Sequence, residues 1–124
     1  MQPSRLALGA AGEACAALHL RRRGFRILAR NLRSGGVEID VIAALGSLVV
    51  FVEVKTRRSR DKGLPEEAVD ARKQRRLVAG AAAWLREHPG VAARIRFDVI
   101  VCEGDADAFR VRHLEGAFDA GQGY

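Results

Sequence analysis

Asp40, Glu53 and Lys55 have the types and spacing for phosphodiester chemistry, in the arrangement D-x(12)-E-x-K. Glu53 and Lys55 interrupt the segment Ser47-Leu48-Val49-Val50-Phe51-Val52-Glu53-Val54-Lys55-Thr56, which is apolar on both faces of a strand and therefore reads as central and buried. Two residues apart, they point to one side of it. A carboxylate and an ammonium at the end of a buried strand are costly to desolvate unless something pairs with them. Either they pair with each other or with a helix charge, or Glu53 binds a cation and Lys55 holds a nucleophile or an anion. The preceding segment repeats the anomaly. In Val37-Glu38-Ile39-Asp40-Val41-Ile42, alternation puts Val37, Ile39 and Val41 on one face and Glu38 and Asp40 on the other. A tight turn at Gly46 then sets Asp40 beside Glu53. Adjacent carboxylates repel unless a proton or a metal sits between them. Oxygen-only ligands on rigid strands suit Mg²⁺ or Mn²⁺. Such an ion activates water and offsets charge on a phosphodiester, and Lys55 would orient that water or stabilise the developing charge.

The elements that must position these residues are legible. Residues 4–22 read as an Ala-rich helix, capped by Ser4 and stopped at Gly24. Phe25–Leu32, Val37–Ala44 and Leu48–Thr56 read as three strands, with turns at Ser34-Gly35-Gly36 and Leu45-Gly46-Ser47. Residues 57–64 read as a polar loop. A long helix is expected from Pro65 to His88, with Val69, Leu77, Val78, Ala81, Trp84 and Leu85 inward. Arg96–Cys102 and Phe109–His113 are two further strands, and the Gly-rich tail after Gly116 is held at most by Phe118. The order predicts one α/β domain over residues 1–124: an antiparallel meander, a crossover through the long helix, and a mixed sheet flanked by helices.

The 124 residues suit a single domain, and no apolar run approaches a membrane span. The N-terminus has no secretory pattern, and two cysteines cannot build a disulfide framework, so a cytoplasmic protein is expected. Lys+Arg exceed Asp+Glu by 21 to 15, a net +6 that suggests a polyanionic partner. The excess is concentrated before residue 34, where seven Arg face one acid, and only Lys55, Lys62 and Lys73 are lysines.

The motifs Gly12-Glu13-x-x-Ala16, Gly24-Phe25-x-Ile27-Leu28-x-x-Asn31-x-Arg33, Glu38-Ile39-Asp40-Val41-Ile42, Val50-Phe51-Val52-Glu53-Val54-Lys55-Thr56-Arg57, Lys73, Arg96-Phe97-Asp98-Val99 and Ala117-Phe118 resemble the YraN family of uncharacterised bacterial proteins. The αβββαβ order with Asp40 and Glu53-Val54-Lys55 resembles the restriction-endonuclease-like PD-(D/E)XK superfamily, close to archaeal Holliday-junction resolvases. The resemblance implies that core fold. It also implies that Glu13, Asp40, Glu53 and the Val54 carbonyl hold Mg²⁺ or Mn²⁺, and that Lys55 is the catalytic lysine. The superfamily's Pro-Asp is here Ile39-Asp40, and Val37 stands where the family often has Gly.

The function implied is metal-dependent hydrolysis of DNA, with branched or structured DNA among the candidate substrates. The alternative is a nucleic-acid-binding module with the nuclease fold and no cleavage activity. Cutting two strands of a junction would need a homodimer. Arg57, Arg58 and Arg60 follow Lys55 closely and are candidates to contact phosphates, or are a solvated surface loop. Lys73 and Arg76, one turn apart, either hold a phosphate or are solvated. Cys15 and His19 have the spacing of half a zinc site, but no second pair completes it, and His88 and His113 have no evident partner.

Overall fold

A computed structural model describes residues 4–58, 70–105 and 107–120. Two helices cover the two faces of a five-stranded mixed sheet, in the chain order α1 (Arg5–Arg22), β1 (Arg26–Ser34), β2 (Val37–Leu45), β3 (Leu48–Arg57), α2 (Ala71–Glu87), β4 (Arg94–Asp105) and β5 (Ala108–Phe118). The strands lie in sequence order across the sheet. β1, β2 and β3 form the antiparallel meander, β3 and β4 run parallel through the α2 crossover, and β5 returns antiparallel to β4. β3 is the middle strand, as its two apolar faces require. Among the described residues, no helix is long and apolar enough to cross a membrane.

Each face of the sheet has its own core. Ala16 and Leu20 of α1 pack with Val41, Ala43, Val50, Val52, Ile100 and Cys102. Leu77, Ala81 and Trp84 of α2 pack with Ile39, Ile42, Phe51, Phe97, Val99 and Phe118 on the other side. Phe118 anchors the tail by stacking on Phe97 at 5.1 Å between ring centres. Burying side chains of this size contributes roughly 1.5–3 kcal/mol each.

Several boundaries differ from the sequence reading. Ser4 caps α1 as expected, its hydroxyl accepting from the Ala7 N–H at 3.1 Å. The second helix begins at Ala71 rather than Pro65, because Asp70 is extended and its carboxylate accepts from the Lys73 N–H at 2.9 Å. Pro65, Val69 and Arg60 lie outside the described residues. β3 continues through Arg57, where the sequence reading begins a loop. β4 and β5 are longer than predicted because they pair from Phe97 and Phe118 out to Asp105 and Ala108. The exposed Arg110, Arg112 and Glu115 hide that alternation in the sequence.

β4, β5 and α1 are tied together by a polar cluster that the sequence reading did not find. Asp98 is fully buried. It accepts from Arg96 Nε and Nη2 (both 2.8 Å), from His113 Nε2 (2.7 Å) and from the Gly116 N–H (3.0 Å). The other nitrogen of His113, Nδ1, meets His19 Nε2 of α1 at 3.1 Å. His113 therefore has two partners where the sequence offered none. Burial opposes the Asp98 charge, but the hydrogen bonds from His113, Arg96 and Gly116 outweigh it and hold the pKa below the ordinary carboxylate value. Burial, then His113 and Arg23, lower the pKa of His19. His88 also has a partner, its Nδ1 lying 2.8 Å from the Trp84 carbonyl oxygen at the end of α2.

Candidate functional site

Pairing between β2 and β3 runs from Leu45 and Leu48 to Val41 and Val52 and stops there. Beyond this point β2 leaves its neighbour. The expected alternation breaks at the same place, since Ile39 joins the core under α2 and Val41 the core under α1. Asn31 of β1 lies opposite Asp40, between the Arg30–Val41 and Leu32–Ile39 partners, and adopts the left-handed conformation (φ 51°) that Asn tolerates better than most residues. The parting of the strands leaves a backbone donor without its ladder partner. The Val54 N–H is taken by Asp40 Oδ2 at 2.8 Å. A side chain thus completes the sheet and is itself fixed in place.

A cleft of about 300 Å³ opens at this end of the sheet. It is lined by Gly9 and Glu13 of α1, Asp40 of β2, Glu53, Val54, Lys55 and Thr56 of β3, and Lys73 of α2. The structure brings Asp40, Glu53 and Lys55 together, as their spacing predicted, and adds Glu13 and Lys73. Two of the three lysines therefore face the same carboxylates. A smaller adjoining cleft shares Glu53 and Lys73 and adds Val37, Glu38, Arg76 and Leu77.

The carboxylates report their closeness through their proton equilibria. The Asp40 pKa is pushed up to about 8 by burial, by a hydrogen bond with Glu53 and by the Glu53 charge. The Glu13 pKa is raised by burial and then by the Asp40 charge, while a hydrogen bond from the Asn31 side chain lowers it. Asn31, opposite Asp40 on β1, is the neighbour that only its left-handed backbone in the structure singles out.

Gly12 explains how α1 comes so near. A Cβ at this position would be driven into the Thr56 side chain of β3. Glycine lets the helix lie against the strand and carries the next residue, Glu13, to the rim of the cleft.

The phosphate-contact candidates separate. Lys73 and Arg76 are exposed and line the clefts. Arg57 does not: its side chain is buried, with Nη2 3.6 Å from Glu103 Oε2, so it joins β3 to β4. The sequence placed it on a loop, but the ladder with β4 continues through the Arg57–Glu103 pair and turns the guanidinium inward. Arg58 is half-buried beside it. Cys102 is core, its thiol donating to the Gly12 carbonyl oxygen at 3.4 Å and its pKa pushed up to about 12 by burial.

A hard divalent cation suits the oxygen donors of Asp40 and Glu53, which line the same cleft. Among the described residues, no three His, Cys, Asp or Glu side chains are gathered tightly enough to hold a metal ion as they stand. Glu13 therefore belongs to the cleft by position and charge, without closing a three-carboxylate set.

Asp40→Asn tests the raised Asp40 pKa. The Asn carbonyl can still accept from Val54, and its amide can donate to Glu53. Because the folded-state pKa of Asp40 is raised, its contribution to stability is present at low pH and is lost as pH rises toward about 8. Metal-free Asp40→Asn should match the wild type near pH 4 and exceed it by at least about 1 kcal/mol near pH 8. Urea unfolding at the two pH values measures this, and an equal or lower stability near pH 8 contradicts the raised Asp40 pKa.

The profile of the uncharacterised protein family UPF0102 matches residues 12–102. Similar proteins, each called a UPF0102 protein, include one from Anaeromyxobacter dehalogenans, 49% identical over 93% of this chain and 86% of its own length. One from Syntrophotalea carbinolica is 44% identical over 96% of this chain and 97% of its own length. One from Rhodococcus opacus is 47% identical over 91% and 97%, respectively.

Proposed function

We propose that this chain, which belongs to the uncharacterised protein family UPF0102, is a Mg²⁺- or Mn²⁺-dependent DNA endonuclease with a restriction-endonuclease-like PD-(D/E)XK core. The observation that carries this reading is that Asp40 and Glu53 line one cleft where β2 leaves β3, with Lys55 beside them. Asp40 and Glu53 would hold the ion, with Glu13 and the Val54 carbonyl as further oxygens. When bound, the ion supplies an activated water and neutralises charge on the phosphodiester. Lys55 stabilises the negative charge that develops on the phosphoryl oxygens. Lys73 and Arg76, exposed along the two clefts, hold neighbouring phosphates as point charge and planar fork respectively.

A second reading, a nucleic-acid-binding module without cleavage, is favoured by one observation: Asp40, Glu53 and Glu13 are not gathered into a three-ligand group. Incubating the protein with branched, single-stranded and duplex DNA in Mg²⁺ or Mn²⁺ decides between them. Cut product that requires the metal supports the nuclease. Binding to every substrate without any cut product supports the module.

Both readings need contact with phosphates. Arg21, Arg22, Arg23, Arg26, Arg30 and Arg33 are all exposed on the end of α1 and on β1. If about four of them meet phosphates, DNA affinity should fall about a hundredfold between roughly 50 and 200 mM salt. A titration series in salt measures the slope, and a flat response removes this surface from the interface.

A further inference from the structure

Gly9 stands on α1 four residues before Glu13, on the same face of the helix, and lines the cleft with it. Glycine is the poorest helix former after proline, so a glycine inside a helix calls for a reason. The two ordinary reasons do not apply. Gly9 is not among the residues with positive φ. A Cβ built on it meets nothing within 4 Å among the described residues. Gly12, one turn on, is the contrast, because Thr56 occupies the space that its side chain would take. The packing of the described chain accounts for Gly12 and leaves Gly9 unexplained.

The open space at Gly9 adjoins the cleft that also holds Asp40, Glu53, Lys55 and Lys73. We infer that Gly9 is a specificity-determining position, whose missing side chain leaves room for the sugar-phosphate backbone of one nucleic-acid strand to cross α1 beside the carboxylate pair. The inference rests on the nuclease reading for the identity of the ligand. A strand in that position lies against the bare helix backbone on one side and the Lys73 ammonium on the other. A Cβ at position 9 narrows the entrance without meeting the carboxylates or Lys55.

The test uses the full chain with Gly9→Ala and Gly9→Leu, and Ala10→Leu as a control on the neighbouring exposed position. Binding of a labelled single-stranded oligonucleotide is measured in Ca²⁺, cleavage in Mn²⁺, and thermal stability without either. Gly9→Ala should melt higher than the wild type, because alanine favours the helix. Gly9→Leu should bind the oligonucleotide about tenfold more weakly or worse, as expected for a side chain placed in a fitted channel. Ala10→Leu should bind as the wild type does. Equal binding by Gly9→Leu and wild type overturns the inference. So does a lower melting point for Gly9→Ala, which would mean that the chain itself fills the space. A wild type that binds but never cuts defeats the nuclease reading alone, and the Gly9→Leu comparison still decides this one. A wild type that binds no oligonucleotide defeats both.

Discussion

Glu53→Gln should abolish metal-dependent DNA cleavage, by about 10³-fold or more, while leaving the protein folded. Glu53 is half-buried, and its carboxylate is hydrogen-bonded to Asp40. Glutamine has the same shape and can still donate to Asp40, so the local packing survives. What disappears is one of two negative charges at the place where a divalent ion would bind. Lys55→Ala should cost about 10²-fold or more by a different route, since it leaves the carboxylates in place and removes the cation that meets charge on the phosphoryl group. Metal affinity separates the two. Calorimetric titration with Mn²⁺ should show weakened binding for Glu53→Gln and retained binding for Lys55→Ala. If the wild type and both variants nick DNA equally, the activity comes from a contaminant and the nuclease reading fails.

Asp98→Ala should destabilise the fold by about 3–5 kcal/mol, the usual cost of removing one partner from a buried ion pair. Asp98 is fully buried and receives four hydrogen bonds from Arg96, His113 and Gly116. Without its carboxylate, the Arg96 fork loses its bidentate partner, the Gly116 N–H loses its acceptor, and His113 keeps only His19. The effect also depends on pH. The folded-state pKa of Asp98 is depressed, so its stabilisation is present above the ordinary carboxylate pKa and is lost as pH falls through the depressed value. The gap between wild type and variant should therefore narrow in acid. Urea unfolding near pH 7 and near pH 3 measures both effects. A loss below about 1 kcal/mol near neutral pH would show that the cluster contributes little to stability.

The sheet was largely legible in the sequence because strand periodicity is local. The apolar run from Leu48 to Val52 could only be a central strand, and a spacing of two put Glu53 and Lys55 on one side of it. The turns at Gly35-Gly36 and Gly46 set the meander, and they brought Asp40 within reach of Glu53. Local pattern was less useful at ends and edges. Asp70, not Pro65, starts the second helix, because a carboxylate able to cap Lys73 defines the first turn. Arg57 looked like a loop cation, but the parallel ladder with β4, distant in the chain, supplies Glu103 to hold it.

By itself, the sequence determined which side chains could do chemistry and on which elements they stand, since composition, periodicity and turn residues act over a few neighbouring positions. The tertiary structure decided how those side chains meet. Asp40 lines one cleft with Glu53 because β2 leaves β3 at Val41 and the Val54 N–H turns to the Asp40 carboxylate. Glu13 reaches the same cleft because Gly12 lets α1 lie against Thr56. Asp98 found His113 and Gly116 only when β5 folded back on β4. Each of these contacts joins groups that no local pattern relates, and each is settled by the requirement that buried donors, acceptors and charges find partners.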